Sequence, residues 1–309
     1  MSVARTIRNG LAATAGVGAA ALAWACVEAK TYVLRRLDVP VLAPGSRPVK
    51  VLHLSDLHLL PQQVDKQEWV AGLAGLEPDL VVNTGDNTSS AEAWPYVVAS
   101  LGRLLDRPGV FVHGSNDYFA PKPKNWLDYL ERGHKAGPPG PPSDAAKREL
   151  PWRELDQVFI DRGWVRLTQA ETVMEVAGQR ILLRGTDDAH LGLDDYPAVA
   201  GPRPDGVTLQ LGVTHAPYLR VLDAMTADGA DLLLAGHTHG GQVCVPGFGA
   251  LVTNCDLDAA RVKGLSRHVH DGRVAALHVS AGLGTSPYAP IRFACRPEAT
   301  LLRLVPRTA

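Results

Sequence analysis

The stretch from residue 231 to 242 constrains this chain most, and it reads Asp-Leu-Leu-Leu-Ala-Gly-His-Thr-His-Gly-Gly-Gln. Its apolar half predicts a short buried strand, and the glycines that follow allow backbone turns that a Cβ would block. His237 and His239 therefore stand in a tight loop at the end of a rigid strand. A neutral imidazole offers one lone pair in a fixed direction, which suits metal binding. A turn that carries two histidines by chance is the alternative, and the rest of the chain decides between them.

Composition excludes several classes of protein. The 309 residues allow two average domains or one large α/β domain, and a hydrophobic content of 46% with 20% charged residues excludes a disordered chain. A formal net charge of −1 without a long basic run argues against a nucleic-acid partner. The four cysteines form no Cys-x-x-Cys pair, so neither a zinc ribbon nor a disulfide-rich scaffold is indicated.

The N-terminus carries a long uncharged run. Residues 10–27 are rich in Ala and Leu and are just long enough for a membrane-spanning helix. We therefore expect residues 1–38 to be a hydrophobic segment that anchors the protein in the cell membrane. Ala23-Trp24-Ala25 resembles a signal-peptide cleavage site, so a cleaved signal is one alternative, and a buried Ala-rich helix is another. Basic residues flank the run on both sides, so charge does not set its orientation.

The folded domain is predicted to begin after a proline-rich linker, 40–48, and to span 49–309. Short apolar runs alternate with helical patterns, which indicates an α/β sheet. A Pro- and Gly-rich stretch, 121–151, interrupts this rhythm as an inserted loop, either a plain surface insertion or a lid over the site. The predicted strands are 49–54, 80–84, 109–113, 173–176, 181–184, 208–214, 231–235, 275–280 and 299–305, and the predicted helices are 65–76, 91–105, 153–162 and 218–227.

Side chains with metal-binding chemistry follow five of these strands. The ends of parallel strands meet at one edge of a sheet, where α/β sites usually lie. Carboxylates and imidazoles together suit Mn, Fe or Zn, and a carboxylate between two histidine sets can bridge two ions that clamp a phosphoryl group. The strand ends read His53-Leu54-Ser55-Asp56-Leu57-His58, Gly85-Asp86-Asn87, Gly114-Ser115-Asn116-Asp117 and His215-Ala216-Pro217, besides the loop of His237 and His239.

This ordered set resembles the calcineurin-like metallophosphoesterases, over about residues 49–305. Four further stretches are similar to the membrane-associated bacterial branch, whose members include phosphodiesterases and UDP-diacylglucosamine hydrolases. The resemblance implies a four-layer α/β/β/α sandwich. The four stretches are Gly236-His-Thr-His-Gly-Gly-Gln242, Gly282-Leu-Gly-Thr285, Pro290-Ile-Arg-Phe293 and Cys295-Arg-Pro-Glu298.

The resemblance also implies two metal ions, divalent or trivalent, and assigns their ligands. One ion is held by Asp56, His58, Asp86 and His239. The second is held by Asp86, Asn116, His215 and His237, so that Asp86 bridges the pair. Asp86, Asn116 and His215 are the expected catalytic residues. The alternative for Asp56 and Asp86 is simple capping of the segments that follow them.

The third motif departs from the family pattern Gly-Asn-His-Asp or Gly-Asn-His-Glu. Here Ser115 takes the Asn position and Asn116 takes the His position. Asn116 offers a carbonyl oxygen as a ligand, but it cannot protonate a leaving group as imidazolium can. His113 and His190 are candidates for that acid; His113 lies inside a strand pattern, which favours a structural role. Arg292 is expected to contact a phosphate oxygen or to form a structural ion pair.

The function expected from the resemblance is a dinuclear metal-dependent phosphoesterase, a phosphodiesterase that uses a metal-bound hydroxide. The expected substrate is a phosphate ester, and lipid-linked esters are among the candidates. The expected partner is the membrane. One alternative is a pyrophosphohydrolase of a lipid-linked nucleotide sugar. The other is a metal-binding membrane protein that lost catalysis together with the imidazole.

Overall fold

The computed structural model describes residues 3–123, 140, 141, 143 and 148–307, and its first element is the helix α1, Val3–Glu28. Within those residues, no helix combines the length and the apolar character needed to cross a membrane, so the expected spanning segment is not confirmed. Residues 14–20 of α1 are exposed, which excludes the buried-helix alternative for that part. The end of α1 is held to the domain, because the Glu28 carboxylate accepts the backbone N–H groups of Ala294 and Cys295.

The first sheet has six strands in the order β1-β14-β2-β3-β4-β5. Strands β2 to β5 run parallel, whereas β14 is antiparallel to β2 and parallel to β1. Strand β1 was not predicted, because Pro40 falls in the predicted proline-rich linker. An edge strand tolerates proline, since the backbone on its outer side needs no hydrogen bonds. The strands are β1, Val33–Leu42; β2, Val49–Leu54; β3, Leu80–Asn83; β4, Gly109–Phe111; β5, Val165–Arg166; and β14, Glu298–Pro306.

The second sheet has six strands in the order β12-β13-β9-β8-β7-β6, and its four central strands are parallel. The hairpin predicted around Gly178 is confirmed as β6–β7, whereas β12 was not predicted. The strands are β6, Ala170–Val176; β7, Gln179–Gly185; β8, Leu209–Val213; β9, Leu232–Ala235; β12, Gly264–His270; and β13, Arg273–Val279. A separate ribbon pairs β10, Cys244–Val245, with β11, Gly249–Ala250.

Two α-helices are shorter than the sequence pattern predicted, those expected over 65–76 and 91–105. Each is followed by a 3-10 turn, Leu73–Leu76 and Gly102–Asp106, where a regular helix was expected to continue. Most of the inserted segment 121–151 lies outside the described residues, although a β-bridge joins its flanks at Phe119 and Glu149. The remaining helices are α2, Val64–Gly72; α3, Trp94–Leu101; α4, Ser115–Tyr118; α5, Trp152–Asp161; and α6, Leu219–Ala227.

Three large hydrophobic cores lie among the described residues, besides a small cluster beside the β10–β11 ribbon. The first contains side chains from both sheets, such as Val51 of β2 and Leu232 of β9. The second packs the first sheet against helices α2, α3 and α5, for example through Phe159. The third packs the second sheet against α6, for example through Leu222. The mixed α/β fold expected from alternating strands and helices is therefore confirmed. The loops that follow the parallel strands of both sheets lie outside these cores and carry the candidate site residues.

Candidate metal centre

The loops after β2, β3, β8 and β9 meet at the strand ends of the two sheets. Two groups of side chains there offer ligand atoms that all lie within 4.8 Å of one another. The first group is Asp56, His58 and His239, and the second is Asp56, Asp86 and His215. Apart from His239, which is partly exposed, all of these residues are buried. Residues from distant parts of the sequence thus form one compact cluster of carboxylates and imidazoles.

Two of the imidazoles present a nitrogen that nothing in the described part of the protein satisfies. The Nε2 atoms of His58 and His215 lie 3.3 and 3.6 Å from Asp86 Oδ2, yet neither makes a hydrogen bond among the described residues. A buried polar atom without a partner costs free energy unless a ligand occupies its open direction. Free imidazole nitrogens beside carboxylates are the donor set that a borderline divalent cation prefers. The cluster therefore fits a metal centre.

The other ring nitrogens fix the orientation of each imidazole. His215 Nδ1 lies 2.6 Å from the carbonyl oxygen of Thr84, and His239 Nδ1 lies 3.2 Å from that of Gly284. Each Nδ1–H therefore donates to a carbonyl, which leaves the Nε2 lone pair for a metal. His237 is reversed, because its Nε2 lies 3.2 Å from the carbonyl oxygen of Asn254. His237 can therefore offer only Nδ1.

Charge in the cluster is also set by its surroundings. Burial lowers the pKa values of His237 and His239 well below the usual range, so both rings are neutral and can donate a lone pair. Burial also lowers the pKa of His215, but the charges of Asp86, Asp56 and Asp188, with the hydrogen bond to Thr84, outweigh burial and raise that pKa to about 9. In the metal-free protein the positive charge of protonated His215 thus compensates the negative charge of these carboxylates, which a bound cation would otherwise do.

The backbone of the site is held in an unusual conformation. Five of the seven candidate ligands have a positive φ, a region that L-residues rarely adopt and that costs on the order of 1–3 kcal/mol each. Such strain collects at functional sites, where the surrounding structure must hold it. The φ values are 49° for Asp56, 40° for His58, 56° for Asp86, 69° for His237 and 50° for His239.

Glycines allow the loops to approach this closely. A Cβ on Gly282 would lie 2.5 Å from Asp56 Cβ, and a Cβ on Gly284 would lie 2.6 Å from His58 Cβ. A Cβ on Gly114 would lie 2.6 Å from His215 Cε1. The loop after β13 is therefore pressed onto the first group of ligands, which explains why glycines recur in it.

Comparison with known proteins identifies this cluster. The sequence model of the calcineurin-like phosphoesterases matches residues 49–241, more than half of the chain. The protein belongs to this family. Members of this family are metal-dependent phosphoesterases that act on phosphate esters and use a dinuclear divalent metal centre. The predicted superfamily and hydrolase activity are confirmed.

Relatives of the phosphoesterase occur in bacteria and animals. It is 25% identical over 281 residues to the phosphodiesterase YaeI of Escherichia coli, which covers 89% of this chain and 88% of that protein. It is 24% identical over 262 residues to the uncharacterized protein YpbG of Bacillus subtilis, with 84% and 82% covered. A Bos taurus transmembrane protein with a metallophosphoesterase domain is 29% identical over 221 residues, with 67% of this chain and 44% of that protein covered. The chain thus spans less than half of the length of the bovine protein.

Among solved structures, the phosphoesterase is similar to a 5'-nucleotidase precursor from Thermus thermophilus. The TM-score is 0.44 at 11% sequence identity, and the match covers 83% of this chain and 55% of that one.

The third motif, residues 114–117, contacts Asp86 through hydrogen bonds. The backbone N–H and the Nδ2 of Asn116 donate to Asp86 Oδ1 and Oδ2, both at 2.7 Å. The carboxylate of Asp117 accepts the backbone N–H groups of Asp86, Asn87 and Gly114 at 2.7 to 2.9 Å. Asn116 thus lies beside the expected bridging residue, and its ligand role stays a prediction. The sequence did not single out Asp117, which holds the loop that carries Asp86.

The expected second ligand set is less compact than the first. His237 belongs to neither group of atoms within 4.8 Å, and its ring centroid lies 5.2 Å from that of His215. Asp56, rather than Asp86, is common to both groups. The backbone N–H of His237 also lies 3.0 Å from Asp56 Oδ2, to which it donates. The structure therefore gives Asp56 a central position, while the assignment of Asp86 as the bridge stays a prediction.

The two candidate acids occupy different environments. His113 Nε2 lies 2.7 Å from Asp156 Oδ1, and its Nδ1 lies 3.0 Å from the hydroxyl of Tyr118. Burial lowers the pKa of His113, but Asp156, Asp117 and Asp187 together raise it by more, and the contact with Asp156 makes the ring part of a buried ion pair, consistent with a structural role. His190 lies against the metal cluster instead, with its ring centroid 4.4 Å from that of His237. Sequence alone showed no such proximity, because His190 stands in a loop of irregular pattern.

Arg292 forms no ion pair among the described residues, and its expected contact with a phosphate oxygen stays a prediction. Its side chain is fully buried, and its guanidinium donates to the carbonyl oxygens of Ala281 and Gly284, both at 2.7 Å, and of His239 at 3.2 Å. These acceptors bind the two terminal nitrogens of Arg292, whereas its buried Nε has no hydrogen-bond partner among the described residues. Arg292 therefore joins the loop after β13 to the loop that carries His239.

Proposed function

We propose that this phosphoesterase is a phosphodiesterase with a dinuclear metal centre. The observation that carries the proposal is the pair of compact groups with unsatisfied Nε2 atoms on His58 and His215 among the described residues. When bound, two cations would withdraw charge from the phosphoryl oxygens and supply hydroxide near neutral pH. The proposed ligands are Asp56, His58, Asp86, Asn116, His215, His237 and His239, with Mn, Fe or Zn as the metal.

The protein side chains have separate tasks in this proposal. Asp56 and Asp86 supply the negative charge that the cations require, and the imidazoles supply neutral nitrogen donors. Asp117 orients the loop that carries Asp86, because its carboxylate accepts the N–H groups of Asp86 and of the neighbouring Gly114. Asn116 donates to Asp86 through its amide nitrogen, so its amide oxygen would be available as a ligand for the second cation.

A second candidate function follows from the missing imidazole at position 116. A leaving group of low pKa needs no proton from the enzyme, and a nucleoside monophosphate is such a group. A pyrophosphohydrolase of a lipid-linked nucleotide sugar is therefore the alternative activity. Catalytic weakening, with metal binding retained, is the third outcome that the same feature allows.

We further propose that the layers stack as α/β/β/α and that the N-terminal segment associates with the cell membrane. The first proposal is supported by one core between side chains of the two sheets and one core on each sheet with helices. The second is supported by the exposed apolar side chains of Val17 and Trp24 on α1, which are 71% and 55% exposed. Two relatives, from Bos taurus and Danio rerio, are transmembrane proteins with a metallophosphoesterase domain.

A hydrolysis screen tests these functions directly. Full-length protein in detergent is supplied with Mn²⁺, Fe²⁺ or Zn²⁺ and assayed on bis(p-nitrophenyl) phosphate, p-nitrophenyl phosphate and a UDP-sugar. The proposal expects the diester to be hydrolysed fastest, and chelation to abolish turnover. Preferential cleavage of the UDP-sugar would establish the alternative activity. Metal bound at two ions per chain without turnover on any substrate would show a binding protein.

A further inference from the structure

The loop after β7 brings a further carboxylate to the edge of the sheet where the ligands lie. Asp188 is the third residue after β7, and β7 pairs with β8 in parallel. One residue beyond β7, the backbone N–H of Thr186 still donates to the carbonyl of Val213, at the end of β8. His215 follows β8 two residues beyond Val213. The side chain of Asp188 is fully buried. The loop after β7 therefore begins close to the loop that carries His215, and no sequence motif predicted this proximity.

One oxygen of Asp188 has a partner, whereas the other has none within the described part of the chain. Oδ1 accepts the backbone N–H of His190 at 2.9 Å. Oδ2 makes no hydrogen bond among the described residues, although it is buried. A buried carboxylate with an open oxygen is costly, and proteins retain such groups mainly where a cation or a reacting group meets them. The same condition marks the Nε2 atoms of His58 and His215.

The charges around Asp188 are those of the metal centre. Burial raises the pKa of Asp188 to about 7, against the attraction of His215 and together with the repulsion of Asp86. In the other direction, the charge of Asp188 helps to raise the pKa of His215. Asp188 belongs to neither group of ligand atoms that lie within 4.8 Å of one another. Its electrostatic interaction with His215 and Asp86 is consistent with a position beside those groups in a medium of low dielectric.

We propose that Asp188 is a further ligand of the metal centre, whose open Oδ2 binds a divalent cation beside His215. The inference rests on the proposed dinuclear centre and deepens it. The expected second site has only one carboxylate, Asp86, because Asn116 is neutral. Asp188 adds the negative charge that a divalent cation needs there, and it explains why the fold keeps this group buried with an open oxygen.

The test is Asp188→Asn, which removes the charge and keeps the shape. Asp187→Asn is the matched control, because Asp187 is the neighbouring residue but its Oδ1 already accepts the Tyr118 hydroxyl at 2.8 Å. Metal-stripped full-length protein is titrated with Mn²⁺ by calorimetry, and the melting temperature of the metal-free protein is recorded. Together these two measurements distinguish a metal ligand from a residue with a structural role.

Affinity for the second Mn²⁺ should fall by at least about 10-fold in Asp188→Asn, while the first ion keeps its affinity. The melting temperature of the metal-free protein should not fall, since Asn keeps the shape of the side chain and an Oδ1 that can accept the backbone N–H of His190. Asp187→Asn should leave both affinities unchanged. A structural role would instead lower the melting temperature and weaken both ions. Two ions bound by Asp188→Asn at wild-type affinity would overturn the inference alone, whereas fewer than two ions in the wild type would overturn the dinuclear centre as well.

Discussion

Asn116 donates two hydrogen bonds to Asp86, one from its backbone and one from its side chain, and both are 2.7 Å long. This pair joins the ends of β3 and β4, and it places an amide where the family has an imidazole. Asp86 keeps an anionic carboxylate in this setting: burial raises its pKa, but His215, His58 and Asn116 together lower it well below the usual range. The chemistry of the site therefore depends on how Asp86 is held.

Asp86→Asn should remove most of the bound metal and lower the rate of phosphodiester hydrolysis by at least about 100-fold, because the anionic carboxylate lies beside His58 and His215, two of the proposed ligands. Metal content by mass spectrometry and kcat measured at fixed Mn²⁺ check this. Asp65→Asn, at an exposed position of α2, is the control for an Asp-to-Asn change. A variant with two ions per chain and a near wild-type rate would show that Asp86 is not a ligand.

Asp117→Asn should weaken metal binding by about 10–100-fold without unfolding the protein, because its carboxylate holds the N–H groups of Asp86 and Gly114. The effect should appear in the Mn²⁺ dissociation constant and in kcat, while the circular dichroism spectrum is unchanged. Wild-type Mn²⁺ affinity in this variant would mean that Asp86 is oriented by Asn116 alone.

Asn116→Ala and Ser115→Ala distinguish two alignments of residues 114–117 with the family motif, one with Asn116 and one with Ser115 as the metal ligand. If the Asn116 amide oxygen binds the second cation, Asn116→Ala should weaken the second Mn²⁺ more than the first by at least about 10-fold. Ser115→Ala should have little effect, because the Ser115 hydroxyl accepts only a long hydrogen bond, 3.4 Å, from Asn116 Nδ2 within the described part of the chain. Calorimetric titration of both variants decides between the registers. Loss of the second ion in Ser115→Ala alone would assign that position to the metal instead.

The stability of the protein should depend on pH through Lys66. Burial, followed by the charge of Arg292, lowers the pKa of Lys66 from 10.5 to about 7, and Nζ donates to the carbonyl of Leu57 at 2.8 Å. Between pH 7 and 10.5 the unfolded chain therefore binds a proton that the folded chain has released, so stability rises with pH across this window. Lys66→Met removes this dependence.

Urea unfolding of wild type and Lys66→Met at about pH 7.5 and about pH 9.5 measures the effect. The wild type should gain on the order of 2 kcal/mol relative to the variant between these two pH values. Equal differences at both pH values would show that Lys66 stays charged in the folded protein.

Truncation at the N-terminus should have two different results. Removal of residues 1–22 leaves Glu28, which binds the N–H groups of Ala294 and Cys295, and leaves β1 intact, so the melting temperature should change little. Removal of residues 1–38 cuts through β1, which pairs with β14 from Val33 onward, and should destabilise the first sheet. Thermal unfolding of both truncated proteins checks this. Equal melting temperatures would mean that β1 contributes nothing to stability.

Much of the site was predictable from short motifs. Asp56, His58, Asp86, His215, His237 and His239 each follow an apolar run that predicts a strand, and strand ends meet at one edge. The hairpin β6–β7 was predictable from Gly178 for the same local reason. Strand β1 was not, because a proline at an edge strand has the same sequence pattern as a proline in a linker.

The sequence by itself determined the alternation of strands and helices, the metal-binding residue types and their order, because these depend on local patterns and on side-chain chemistry. Only the tertiary structure decided that Arg292 bonds backbone carbonyls, that His190 lies against His237, and that Asp188 is buried with an oxygen left open by the described residues. Burial, charge and the positive φ values of five ligands arise when loops from distant parts of the chain are pressed together. No local pattern contains that information, because the neighbours that create each environment lie far away in the sequence, as Thr84 does from His215, 131 residues later.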